Sequence, residues 1–124
     1  MYVLAHIYET GGESSPHDHG PHWVIYGNAT GYTDMTEWRR LDDGKREGYA
    51  ELESQKPYRV ESGMAVVFDV GKIHSIRYPN GTRFVRVTGG DVESGKNLRF
   101  DVKSKKVMVQ DRAKENRIAS RPTG

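Results

Sequence analysis

The sequence predicts an all-β domain, a sandwich or barrel of about eight short strands, and three observations carry that expectation. Short runs of β-branched and aromatic residues recur at near-regular spacing between turn signals. The 14 Gly and 5 Pro are scattered without a repeat period, as many turns between short elements require. No helical stripe of useful length occurs before residue 95.

The elements follow in order. Residues 2–8 form a first run, and a Gly/Ser/Pro loop spans 10–16. Residues 22–29 and 31–39 are two runs separated by little more than Gly31. A polar, turn-rich stretch at 41–48 reads as a loop at a hairpin end. Runs at 49–54, 57–61, 64–68, 73–78 and 83–88 complete the set. Asn80-Gly81 between the last two is a strong hairpin signal. Residues 112–118 have the pattern of a short helix. No domain boundary precedes residue 95, so the reading is a barrel over 1–95 and a C-terminal extension over 96–124, as strand, short helix or flexible tail.

Composition excludes several classes. The chain has 124 residues, one domain's worth, with 35% apolar and 29% charged residues. Twelve aromatic residues argue against disorder. No run approaches the ~18 apolar residues of a membrane helix, and the expected compartment is the cytoplasm. Cysteine is absent, which rules out disulfides, zinc–thiolate sites and a cysteine nucleophile within the chain. The net charge of +2 is uneven: residues 96–124 carry nine Lys or Arg against three Asp or Glu, and residues 1–95 carry ten against fourteen. The basic end lacks aromatic interleaving after Phe100 and mixes both signs, so it reads as a solvated or oligomer-covering extension. Neither nucleic acid nor membrane is an expected partner; a homodimer is the candidate assembly. There is no Gly-x-Gly-x-x-Gly after a strand, no P-loop, no Gly-x-Ser-x-Gly and no His-Glu-x-x-His.

The chemistry concentrates in the histidines. Of His6, His17, His19, His22 and His74, three lie in Pro16-His-Asp-His-Gly-Pro-His22. On an extended segment His17 and His19 project to one face and Asp18 to the other, so the two imidazoles can chelate a divalent metal. His22 has the opposite parity, which a bulge at Gly20-Pro21 would reverse, making it a candidate fourth ligand or pocket donor. Asp18 either orients a ligand histidine or holds neighbouring backbone. His6 has no partner in sequence and reads as an ordinary strand residue. A second segment runs Gly63, five residues, Asp69-Val70-Gly71, two residues, His74.

Together these segments resemble the paired motifs of the cupin superfamily. The first motif is His-x-His followed by a Glu and a Gly, and Gly31, twelve positions after His19, stands where that Gly is expected. The second is Gly, five residues, Pro-x-Gly, two residues, His, matched at Gly63, Gly71 and His74 with Asp69 in place of Pro. The resemblance spans about residues 15–90 and implies a double-stranded β-helix, or jelly-roll barrel. The motif-one Glu position falls near Val24, which cannot bind a metal. His-Asp-His with a third His and no Glu is similar to the thiol dioxygenase-like branch, which includes cysteine dioxygenase and 3-mercaptopropionate dioxygenase. That resemblance implies His17, His19 and His74 as a neutral three-His face for Fe(II), with Zn, Ni, Mn and Cu as the alternatives three imidazoles accept. The metal's full +2 charge would favour an anionic ligand.

Three departures separate this chain from cysteine dioxygenase itself. No His follows His74, no Cys is available for a Cys–Tyr crosslink, and only sixteen residues precede His17, leaving no counterpart for the upstream substrate Arg. Candidate pocket residues are Tyr26, Tyr32 and Trp38, which are equally suited to the core, and Arg83 or Arg86, of which an inward one would clamp a carboxylate. Arg77 has the parity to face away from His74. Nothing in the spacing selects Glu37, Glu51 or Asp69 as an acid or base. The leading expectation is an Fe(II)- and O2-dependent oxygenase of a small anionic substrate. The alternatives are a non-oxidative metal-dependent isomerase or lyase, and a binding module without catalysis.

Overall fold

In a computed structural model, residues 1–92 and 95–112 are described. They form eleven strands, and every pairing among them is antiparallel. The strands are β1 (Tyr2–Tyr8), β2 (Gly12–Glu13), β3 (Val24–Thr30), β4 (Tyr32–Arg40), β5 (Leu52–Ser54), β6 (Tyr58–Glu61), β7 (Ala65–Phe68), β8 (Ile73–Tyr78), β9 (Thr82–Thr88), β10 (Lys96–Asp101) and β11 (Lys106–Asp111). One sheet runs β1-β9-β3-β7; the second runs β2-β8-β4-β5, with β6 also on β4. The chain passes from one sheet to the other between β1 and β2, β2 and β3, β3 and β4, β6 and β7, β7 and β8, and β8 and β9. That alternation winds two antiparallel sheets around a shared interior, which is the jelly roll.

Each strand's alternation fills this interior. On β3 the buried residues are Val24, Tyr26 and Asn28, and on β9 they are Thr82, Phe84, Arg86 and Thr88. Val24, Tyr26, Met35, Val60, Phe68 and Phe84 make one cluster between the sheets. A second cluster of Ala50, Ile73 and Phe100, with Trp38, Leu52, Leu98 and Val107 against it, lies on the other side of the second sheet. Ile73 and Trp38 are register partners one step from His74 and Glu37, so they face away from the barrel interior. The outer face of the first sheet carries apolar side chains too, with Val3 and Val67 exposed.

Two sequence expectations change. Asn80-Gly81 does not close a hairpin: β8 and β9 lie in different sheets, and the dipeptide makes the corner between them. Gly81 has φ +78° but Asn80 does not adopt positive φ, so the turn favoured between paired strands does not form. Instead Gly81 N–H donates to Tyr8 O, and Asn80 Oδ1 accepts from Gly11 N–H. The run at 49–54 forms a strand only over Leu52–Ser54. Gly48 and Ala50 bond to Val107 and Lys105 of the β10–β11 hairpin. Of the expected helix at 112–118, residues 113–118 lie outside the described residues. Among the described residues no helix is long and apolar enough to cross a membrane.

The β10–β11 hairpin extends the second sheet through residues 16–18. His17 bridges His74 on one side and Arg99 on the other. Asp18 N–H donates to Leu98 O and Phe100 N–H to Pro16 O, at 3.1 and 2.9 Å. Thus the His-Asp-His segment is an internal rung between β8 and β10, with its backbone donors and acceptors largely satisfied.

Candidate metal centre

His17 and His74 are joined first by backbone. His17 N–H donates to His74 O, and His74 N–H returns the bond to His17 O, both at 3.0 Å. A reciprocal pair of this kind sets the two residues directly opposite each other with their side chains on the same face, and the imidazole centroids are 4.7 Å apart. His19, two residues on, projects to the same side, 4.9 Å from the His74 ring and nearly parallel to it. One ring nitrogen from each of His17, His19 and His74 lies within 4.8 Å of the others, and all three residues are buried. Phe68 stacks on His74 from below at 4.2 Å and 16°, fixing the ring plane.

The second motif positions His74 through its turn. β7 ends at Phe68, Val70 N–H donates to Asp69 Oδ1, Lys72 N–H donates to Asp69 O, and Gly71 takes φ +79°. Asp69 therefore shapes the turn, in place of the motif's Pro. Gly31 takes φ +74° at the β3–β4 corner, where an added Cβ would stand 2.9 Å from Thr82 Oγ1. Val24, at the motif's Glu position, is buried in the apolar cluster.

The three imidazoles are held neutral. Burial drives the His17 pKa down to about 4, opposed by the Ser15 carbonyl bond and assisted by Arg112 and Arg99. Burial likewise lowers His19, followed by the charges of His74 and His17, and lowers His74, followed by His17 and Arg86. Neutral imidazole is the form that ligates a metal. His17 Nδ1–H donates to Ser15 O at 2.8 Å, leaving its Nε2 lone pair for the cluster, as ligand histidines commonly do. His19 Nε2 and His74 Nε2 meet at 3.2 Å, while the Nδ1 atoms of both rings are buried without a hydrogen-bond partner. Two imidazole nitrogens that converge without a full set of protons between them are a donor set suited to a cation. The residues present fit a divalent metal.

A cavity of about 260 Å³ opens beside this cluster. His17 and Tyr26 form part of its wall, with Arg86, Arg99 and Arg112, and the rings of His6, Tyr8 and Phe84 form another part. Tyr26 also reaches the histidines, its hydroxyl 3.0 Å from His19 Nε2 and 3.3 Å from His74 Nε2. Burial pushes the Tyr26 phenol up to about 12, against the opposing charge of Arg86.

The other candidates are placed as follows. His22 does not join the three histidines; its ring packs on Gly90, where an added Cβ would stand 2.2 Å from Cε1. His6 stacks on Phe84 at 4.8 Å and lines the cavity. Tyr32 lies away from the histidines, under the Arg59 guanidinium at 3.6 Å. Trp38 packs in the second cluster and donates from Nε1 to Ser75 Oγ at 2.8 Å. Arg83 is exposed, and Arg86 is buried on the opposite side of β9. Arg99 and Arg112 were not singled out by the sequence. For Arg99 a signal existed, because Asn97, Leu98, Arg99 and Phe100 alternate as a strand does. For Arg112 there was none.

No family model matches the chain, and no curated protein matches it. Among solved structures it is similar to Peruvianin-I, described as a cysteine peptidase from Thevetia peruviana latex, at 11% identity and TM-score 0.48 over 69% of this chain and 47% of that one. It is similar to oxalate oxidase in complex with the substrate analogue glycolate, at 22% identity and TM-score 0.47 over 69% and 39%. It is also similar to the capsular polysaccharide assembling protein CapF from Staphylococcus aureus, at 18% identity and TM-score 0.45 over 86% and 27%. The chain spans less than half the length of each of these proteins. The jelly roll itself stands on the strand order and its alternation between two sheets.

Proposed function

We propose that the chain is a cupin-type, metal-dependent oxygenase in which His17, His19 and His74 hold Fe(II), O2 is the co-substrate and a small organic anion is oxidised. The observation that carries this reading is the buried group of three neutral histidines, one of which, His17, lines a cavity that Arg86, Arg99 and Arg112 also wall. When bound, the metal would supply a Lewis-acid centre with positions left free by three protein ligands. The chain's own residues do the rest. Arg86, Arg99 and Arg112 attract and orient an anion, since a guanidinium fork matches a carboxylate. The rings of Tyr8 and Phe84 give its apolar part a surface that excludes water. Ser15 O and Phe68 hold the His17 and His74 rings in their ligating orientation.

The test is elemental analysis of untagged protein purified without added metal, beside a His74→Ala variant, followed by oxygen uptake with small thiols and carboxylic acids. About one iron per chain, lost in the variant, with substrate-dependent oxygen uptake, is the expected result. Turnover of a small acid without oxygen uptake replaces the oxygenase by an isomerase or lyase. Failure to take up any divalent metal on reconstitution overturns the metalloenzyme reading and leaves a binding module.

A further inference from the structure

The Tyr26 hydroxyl stands within hydrogen-bond distance of two nitrogens of the three-His group at once. The atoms His19 Nε2, His74 Nε2 and Tyr26 Oη form a triangle with sides of 3.2, 3.0 and 3.3 Å. Donors bonded to one metal at about 2.1 Å stand about 3.0 Å apart across an octahedral edge and about 3.4 Å across a tetrahedral one. All three sides fall in that interval, so the triangle has the size of one face of a coordination polyhedron. A phenol has a single proton and can donate it to only one of the two nitrogens at a time.

The strand explains why Tyr26 is there. Position 24, where the cupin motif has its Glu, holds Val24 in this chain, and two residues along β3 the side chain faces inward again. Tyr26 occupies that next inward position, and its long side chain covers the step back to the histidines. Arg86 is its partner across the β3–β9 ladder and hydrogen-bonds the Tyr26 hydroxyl, which favours negative charge on that oxygen. We propose that Tyr26 Oη is a fourth protein donor to the metal held by His17, His19 and His74, supplying from position 26 the oxygen ligand that position 24 lacks. On ligation the O–H bond breaks as the oxygen–metal bond forms, and the proton leaves to solvent.

This proposal rests on the three-His reading and is tested by spectroscopy of the ferric protein. Wild-type protein is loaded with Fe(II) and oxidised to Fe(III), and its visible absorption and resonance Raman spectra are recorded. A phenolate-to-iron charge-transfer band with enhanced tyrosine ring modes is expected in the wild type and in Tyr8→Phe. Both signals vanish in Tyr26→Phe, which still binds about one iron per chain at saturating metal, with affinity reduced by at least the roughly 10–100-fold that losing an outer partner costs. Should Tyr26→Phe fail to fold, ring-deuterated tyrosine in the wild type must shift the enhanced modes. Iron bound without phenolate modes, or a band unchanged in Tyr26→Phe, overturns the tyrosine ligand and leaves the three histidines standing. No iron uptake by the wild type overturns both.

Discussion

Asp18 is the residue whose removal tests how the site is braced. It lies between two of the three histidines and is buried, yet its carboxylate faces the β10 backbone rather than the metal site. Oδ1 accepts the Leu98 N–H at 2.7 Å and the Gly20 N–H at 3.1 Å. Asp18→Ala removes both acceptors while the backbone bond from Asp18 N–H to Leu98 O can persist. A hydrogen bond to a charged group contributes about 1.5–3 kcal/mol. The Leu98 bond, short and inside the sheet, takes the upper part of that range. The Gly20 amide, beside an exposed Pro21, recovers much of its loss to water. The expected destabilisation is about 3 kcal/mol for Asp18→Ala and about 1 kcal/mol for Asp18→Asn, which keeps a neutral acceptor at the same place. Urea unfolding of metal-free protein at neutral pH reads this as a lower midpoint at unchanged slope. Metal titration of the same variants reads the second consequence: with His17 and His19 no longer braced, Asp18→Ala binds metal roughly 10–100-fold more weakly. An Asp18→Ala protein within about 0.5 kcal/mol of wild type, the range of a surface change, would refute the bracing argument. So would Asp18→Asn as damaging as Asp18→Ala.

Metal at a hundredfold excess over its dissociation constant stabilises the wild type by about 2.7 kcal/mol; thermal melts with and without Fe(II) under nitrogen show that gain, and His74→Ala abolishes it. Phe68→Ala removes the ring stacked beneath His74 and opens a cavity in the main cluster, costing about 3–5 kcal/mol in chemical denaturation. Asp42 is held below the usual carboxyl range by its hydrogen bonds to the Arg40 side chain, with the backbone N–H groups of Glu51 and Gly44 adding to the effect. The folded state therefore binds fewer protons there than the unfolded chain, and the loop anchoring is complete above about pH 4 and lost as pH falls toward the lowered value. The amide NMR signals of Gly44 and Glu51 titrate together in acid, and remain flat over that range in Asp42→Asn.

The legible part of this protein was what period two controls. His17 and His19 share a face because they are two apart, whereas Trp38, a pocket candidate by sequence, faces away from His74 because the β4–β8 register pairs it with Ile73. Strand pairing was less legible. Asn80-Gly81 has the composition of a hairpin turn, but its Asn side chain is used on Gly11 in the neighbouring β1–β2 corner, and the chain crosses to the other sheet. Local turn chemistry cannot report which sheet the next strand joins. Arg86 and Arg83 are three residues apart on one strand, and only the β3–β9 register decided which was buried. Arg99 and Arg112 escaped for another reason. A charge count over residues 96–124 adds their charges to those of exposed lysines such as Lys103 and Lys105, whereas in the structure Arg99 and Arg112 line the cavity. Tyr26 was legible as an inward aromatic, but its approach to two imidazoles depends on a distance across the barrel that no single-strand pattern contains.

In the proposed function, anion recognition and metal binding would be tied together by the rung at residues 16–18 and the bonds that flank it. The metal-facing histidines sit on a rung whose neighbour on one side, β8, carries the third histidine, and whose neighbour on the other, β10, carries Arg99. Moving that rung toward β8 to tighten the metal site would draw it away from β10, and with it the anion side of the cavity. The bonds that oppose such a shift are the reciprocal His17–His74 pair on one flank and the Asp18–Leu98 pair on the other. Arg112 is fixed to the same unit, since its Nε donates to Asn97 Oδ1 at 3.0 Å on β10. A perturbation on the β10 side should therefore appear in metal affinity even when it touches no ligand, and loss of a histidine should loosen the arginine wall even though no arginine is changed. A hairpin that merely covered the barrel from outside would give neither effect.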